Sequence, residues 1–165
     1  MPDDTLIRLF EHNNWANLQT LQACAKLTDE QLDAAPQSVT KGSIRRTLVH
    51  LVSSQRGYLE LLTLPVEARV KRTLPYDELE GNARSSGEAL VMLVKGLADQ
   101  PMTDRLQTTD GYYVDPWVVL VQIINHATEH REQVNSMLSA LGITPPNLDG
   151  WAYGEETGTL VPIGR

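Results

Sequence analysis

The 165-residue sequence has few cysteines, no long apolar run and no excess of basic residues. Its one cysteine, Cys24, excludes an internal disulfide bond and a cysteine-based zinc cluster, and its apolar neighbours predict an inert core thiol. No apolar stretch approaches the roughly 18 residues of a membrane span. The first residues also lack the basic start and apolar segment of a secretory signal. We therefore expect a cytoplasmic protein with no membrane partner.

The charge of the chain disfavours a nucleic-acid partner. Its formal net charge is −7, whereas nucleic-acid binding usually needs a basic face that neutralises phosphates. The local basic groups, Arg45-Arg46 and Arg69 to Arg72, are small and are expected to be solvated. There is no glycine-rich phosphate loop and no convincing internal repeat. We expect one domain over residues 1–165, which is long enough to bury a core.

Four long segments show the apolar periodicity of amphipathic helices. We predict these helices over about residues 4–26, 44–63, 77–99 and 116–142. Ser43 is the expected N-cap of the second, and Asp115-Pro116 the expected start of the fourth. A short helix is predicted over 28–34, a loop over 36–42 and a small hairpin around Asp110-Gly111. The long connections favour an all-α four-helix bundle with crossover topology.

Two of the four histidines lie one helical turn apart in the fourth long helix. His126 and His130 are at positions i and i+4, so they share a face with apolar residues such as Val119 and Ile123. His50 has a similar place at the margin of the apolar face of the second long helix. Bundles build metal sites from inward side chains, and catalytic zinc sites commonly use three protein ligands. The three histidines are therefore candidate metal ligands; the alternative is that they are packing residues.

Several other polar residues have weaker claims to a role in a site. Asn13 and Asn17 lie on the buried face of the first helix, where we expect bonds to neighbouring elements, or to the outer ring nitrogens of the histidines. Glu129 is near the histidines in sequence but outside their face, so no general base is assigned. Arg131 is expected to form a structural salt bridge or a pocket wall, and His12 to line a pocket or the surface.

Four stretches of the sequence resemble the DinB-like proteins. They are His12–Asn17 in the first helix, Ser43–Leu51 in the second, His126–Val134 in the fourth and Leu148–Tyr153 in the tail. The resemblance extends over essentially the whole chain, from the first helix to the tail. The most specific pattern is one histidine in the second long helix with His-x3-His-Arg-x-Gln in the fourth.

This resemblance implies a four-helix bundle, often a homodimer, that holds a divalent metal ion, zinc or nickel, on His50, His126 and His130. Related folds include S-transferases that use mycothiol or bacillithiol, and a maleylpyruvate isomerase. The implied protein is a metal-dependent enzyme acting on a small-molecule substrate. A metal on three neutral imidazoles activates water for hydrolysis, or a low-molecular-weight thiol for group transfer. The alternative is a non-catalytic metal- or ligand-binding stress-response bundle.

Overall fold

The computed structural model describes residues 4–35 and 42–163, and most of these residues are helical. The helices are α1 (Thr5–Cys24), α2 (Asp29–Asp33), α3 (Ile44–Thr63), α4 (Leu79–Gly96), α5 (Pro116–Ala140) and α6 (Gly150–Glu156). Short 3-10 turns are found at Val66–Ala68 and Tyr76–Glu78. The strands β1 (Leu106–Gln107) and β2 (Tyr113–Val114) pair antiparallel.

The predicted helices and the hairpin are all present within a few residues of their expected bounds. The tail helix α6 is an addition that the sequence pattern does not predict. The predicted loop over 36–42 falls outside the described residues except for Gly42. No helix in the described ranges combines the length and the apolar character that crossing a membrane requires.

The predicted starts of two long helices are observed, with one difference in the capping. Ser43 precedes α3, and its side chain accepts a hydrogen bond from the backbone N–H of Arg46. Pro116 is the first residue of α5, where its missing N–H costs nothing. Asp115 occupies the N-cap position, but its carboxylate accepts from Arg105 Nε at 2.9 Å and makes no capping bond.

Each of the four long helices packs against two of the others. α1 packs against α4 and α5, and α3 packs against the same two helices. α1 and α3, which are consecutive long helices in the chain, therefore lie across from each other. α1 and α4 approach closely at Gly87, where an added Cβ atom would lie 1.9 Å from Asn14 Oδ1. Gly87 weakens an isolated helix, so its place in α4 is explained by this close contact.

Most of the buried apolar residues of the described chain form two clusters, with buried polar residues between them. One cluster includes Leu21, Leu48, Ala83, Val134 and Leu138. The other includes Phe10, Leu62, Leu90, Val119 and Ile123. In each long helix a buried polar residue lies between the two clusters in sequence: Asn13 and Asn17 in α1, Gln55 in α3, Ser86 in α4 and Arg131 in α5. The middle of the helix assembly is therefore polar.

Candidate metal centre

Three histidines meet where α3 packs against α5. His50 on α3 and His126 and His130 on α5 each offer one ring nitrogen, and these atoms lie within 4.8 Å of one another. The Nε2 atoms of His50 and His126 are 3.0 Å apart. Ring centroids are separated by 4.9 Å between His50 and His126, 4.7 Å between His50 and His130, and 4.4 Å between His126 and His130. We call these three residues the histidine cluster.

The spacing of these nitrogens is compatible with a divalent metal ion. Metal–nitrogen bonds of about 2.05 Å place two ligand nitrogens about 2.9 Å apart at a right angle and about 3.3 Å apart at the tetrahedral angle. The observed 3.0 Å between His50 and His126 lies within this range. A hydrogen bond also fits that distance, but it joins two rings only and does not account for the third. Imidazole donors suit zinc, nickel, copper and iron, so the donor set does not select the metal.

His130 has a neighbour that fixes which ring nitrogen carries the proton. The residue is only 5% exposed, and its Nδ1 lies 2.9 Å from Gln133 Oε1. An amide oxygen can only accept, so Nδ1 donates, and in the neutral ring Nε2 then carries the lone pair. Within the described residues no hydrogen bond is made by this Nε2 atom. Ligand histidines typically have such support on the outer nitrogen. The helical periodicity places Gln133 on the outer face, so sequence reasoning missed this contact.

Asn13 and Asn17 bond to Arg131 rather than to the histidines. Their side-chain oxygens each accept from Arg131 Nη1 at 2.7 Å, and Arg131 Nη2 donates to Thr128 Oγ1 at 3.0 Å. Arg131 is 4% exposed, and this burial lowers the pKa of its guanidinium to about 10. The expected bonds of both asparagines to neighbouring elements are confirmed. Of the two roles expected for Arg131, the salt bridge is not observed within the described residues, where its hydrogen-bond acceptors are uncharged oxygens.

The hydrogen bonds continue from Asn17 through two more helices. Asn17 Nδ2 donates to Gln55 Oε1 at 2.7 Å. Gln55 Nε2 donates to Ser86 Oγ at 2.7 Å and to the Ala83 carbonyl at 3.0 Å. A buried amide is costly unless such bonds are made, and here they join α1, α3, α4 and α5. We call Asn13, Asn17, Gln55, Ser86 and Arg131 the polar layer.

His12 lies apart from the histidine cluster and holds the tail of the chain. Its Nε2 atom is 2.8 Å from the carbonyl oxygen of Leu148. Its ring centroid lies 5.7 Å from that of Trp15 and 5.4 Å from that of Tyr153. Tyr153 of the tail therefore packs on α1. Trp151 is 71% exposed and does not share in it.

A pocket adjoins the histidine cluster, but no residue near the cluster is assigned as a general base. Glu129 is exposed on α5, so it remains outside the face of the histidines as the sequence indicates. The ring of Tyr58 stands edge-on to His126 at 5.6 Å, a neighbour that the sequence suggests only as an apolar packing residue. His50 also lines a surface pocket of about 650 Å³, a volume typical of small-molecule sites.

Comparisons with known proteins match nearly the whole chain. The profile of the DinB family matches residues 1–161. The protein named DinB from Bacillus subtilis (strain 168) is 24% identical over 162 residues, which are 91% of this chain and 94% of that protein. A crystal structure of a DinB-like protein from Bacillus cereus ATCC 10987 has a TM-score of 0.64 and 19% identity, covering 88% of this chain and 96% of that one. The structural likeness shows a shared fold, and the extent of the family match establishes that the chain belongs to the DinB family.

Proposed function

We propose that His50, His126 and His130 bind one divalent metal ion, zinc or nickel, and that the chain is a metal-dependent enzyme acting on a small molecule. The observation that carries this proposal is the convergence of three imidazole nitrogens from two helices within 4.8 Å. Three protein ligands leave a coordination position for water or substrate, as in catalytic sites, whereas structural sites commonly have four. The group found in the described residues has three members, which favours an open site.

The residues around the histidine cluster have defined parts in this proposal. When bound, the metal ion supplies Lewis-acid activation, either for hydrolysis or for transfer of a group to a low-molecular-weight thiol. Gln133 accepts a hydrogen bond from the Nδ1–H of His130, which leaves the Nε2 lone pair available for the metal. The polar layer joins α1, α3 and α5 beside the cluster and thereby holds the helices in position. The pocket that His50 lines gives a small molecule access to the site.

The same proposal includes the architecture and assembly of the chain. We propose one domain over residues 1–165, built as a four-helix bundle with crossover topology. In support, α3 and α4 both contribute N-terminal residues to one apolar cluster and C-terminal residues to the other, as helices running in the same direction do. A homodimer is also proposed. Trp117, Val118 and Val121 are exposed on α5 and offer an apolar face for a second copy.

The enzyme proposal is tested by activity that depends on the metal. Untagged protein is stripped with a chelator, reloaded with zinc or nickel, and screened for ester or amide hydrolysis and for transfer to small thiols. We expect turnover only after reloading, its loss in His126→Gln, and its retention in His12→Gln, which removes a histidine outside the cluster. Full metal occupancy without turnover in either reaction class would reject the enzyme and leave a non-catalytic metal-binding bundle.

A further inference from the structure

The pocket that begins at His50 has an unusual excess of positive charge. It extends along the outer side of α3 and is closed on the other side by residues 70–73 of the segment between α3 and α4. Its charged lining consists of Arg45, Arg46, Arg56, Lys71, Arg72 and Glu60. Five cations and one carboxylate thus line a pocket in a chain whose net charge is −7. The charge of the chain is therefore unevenly distributed. We call this region the basic pocket.

Two of the five cations have carboxylate partners. Arg56 Nε lies 3.2 Å from Glu60 Oε1, so the one acidic residue of the lining is already paired. Arg45 forms ion pairs with Asp29 and Asp33 on α2. These contacts explain the two residues as parts of the scaffold.

The other three cations are not explained in this way. Arg46, Lys71 and Arg72 form no ion pair with any residue in the described ranges, and all three are exposed. Lys71 and Arg72 are consecutive residues in the segment that faces α3. Several cations facing one concave surface attract anions, because their potentials add there and the protein walls reduce screening.

The basic pocket and the histidine cluster share one residue. His50 belongs to both, and Arg46 precedes it by four positions on α3, so the two side chains occupy the same face of the helix. An anionic group held by Arg46, Lys71 or Arg72 therefore lies in the same pocket that His50 lines. Arginine and lysine are the usual partners of carboxylate and phosphate oxygens in proteins.

We propose that the basic pocket binds the anionic group, a carboxylate or a phosphate, of the small molecule that reacts at the metal. This assignment deepens the proposed function and rests on it only for the reacting end of the molecule. The anionic end is recognised by Arg46, Lys71 and Arg72. Neutral analogues of the same size lack this contact and bind more weakly.

The test is a calorimetric titration at low ionic strength with three probes: inorganic phosphate, succinate, and succinamide as the uncharged analogue of succinate. The double variant Lys71→Gln, Arg72→Gln removes two charges from the pocket. The double variant Lys26→Gln, Arg84→Gln removes two charges from exposed positions outside it. We expect about tenfold weaker anion binding in the pocket variant and less than about twofold change in the control. Preference for phosphate or for succinate identifies the anionic group.

Repeating the titration in His126→Gln separates the pocket from the metal. If this variant has no metal but retains anion binding that depends on Lys71 and Arg72, the pocket assignment stands whatever the fate of the metal proposal. Three results overturn it: anion binding no stronger than succinamide binding, equal weakening in the two double variants, or loss in His126→Gln with no loss in the pocket variant. The last result would mean that the anions bind the metal alone.

Discussion

The polar layer and the histidine cluster lie side by side in the helix assembly. They meet at two residues adjacent in sequence: His130 belongs to the cluster and Arg131 to the layer. Arg131 bonds to Asn13, Asn17 and Thr128, and the chain of bonds continues to Gln55 and Ser86. In the cluster, ring nitrogens of three basic residues approach one another within 4.8 Å. The layer satisfies its donors with acceptors of the same chain. The cluster gathers lone-pair donors, an arrangement that a cation stabilises.

This difference predicts opposite responses to metal and to mutation. The polar layer should determine the stability of the protein whether or not metal is present, because a buried group that loses its partner is costly. The histidine cluster should contribute stability chiefly when a metal is bound, because a ligand that binds only the folded state stabilises that state.

The largest expected effect is stabilisation by metal. Zinc at about 1,000 times its dissociation constant should raise the free energy of unfolding of the native sequence by about 4 kcal/mol. His126→Gln should show no such increase, since one of the three ligands is lost. Urea unfolding in zinc-buffered solution measures both, with His12→Gln as a control that responds like the native sequence. An equal response in His126→Gln would mean that zinc binds elsewhere.

Breaking the polar layer should have the next largest effect. Asn17→Ala removes an acceptor from Arg131 and the donor to Gln55, and should lower the free energy of unfolding by about 2 kcal/mol. Asn125→Ala, at an exposed position on the same helix as the histidine pair, should change it by less than about 0.5 kcal/mol. Metal affinity should be unchanged in both. If Asn17→Ala instead reduced metal affinity and left stability intact, Asn17 would belong to the histidine cluster.

Removing the support of His130 should affect metal binding but not the fold. Gln133→Ala deletes the acceptor of the Nδ1 proton, and should weaken metal affinity by about 10- to 100-fold. The unfolding free energy of the metal-free protein should fall by only about 1 kcal/mol, because the Nδ1–H of the buried His130 loses its partner while the rest of the packing is kept. Competition with a chromophoric chelator measures the affinity, with Gln22→Ala on the exposed side of α1 as the matched control. Unchanged affinity would show that Gln133 has no part in the site.

The ionisation of Cys24 should have no measurable effect on the free energy of unfolding near neutral pH. It is fully buried, as the sequence predicts, and burial raises the pKa of its thiol from 9.0 to about 12. A raised pKa in the folded state means that this contribution to stability is intact below pH 9.0 and is lost as the pH rises toward 12. Cys24→Ala should remove that part of the alkaline loss. If the folded protein reacted with thiol reagents as fast as the unfolded chain does, the burial of Cys24 would be contradicted.

The sequence was sufficient for the four long helices and for α2, and it pointed to three histidines that the structure brings within 4.8 Å of one another. Ser43 and Pro116 mark helix starts through local chemistry, and an i, i+4 spacing fixes a shared face. The bond between Asn17 and Gln55 could not be predicted, because it depends on how two helices are aligned. The contact between His130 and Gln133 follows the i, i+3 spacing of a helix. It was missed because the periodic pattern places Gln133 on the outer face, whereas its long side chain reaches back to the histidine.

The most direct test of the central claim is the metal content of untagged protein, measured by elemental mass spectrometry. The native sequence and His12→Gln should each hold close to one equivalent of a divalent metal, and His50→Gln, His126→Gln and His130→Gln should each lose it. Circular dichroism of the same samples should show folded protein throughout, which separates loss of the site from loss of the fold. Absence of metal from the folded native protein, even after zinc or nickel is added, would contradict the account and leave three packing histidines.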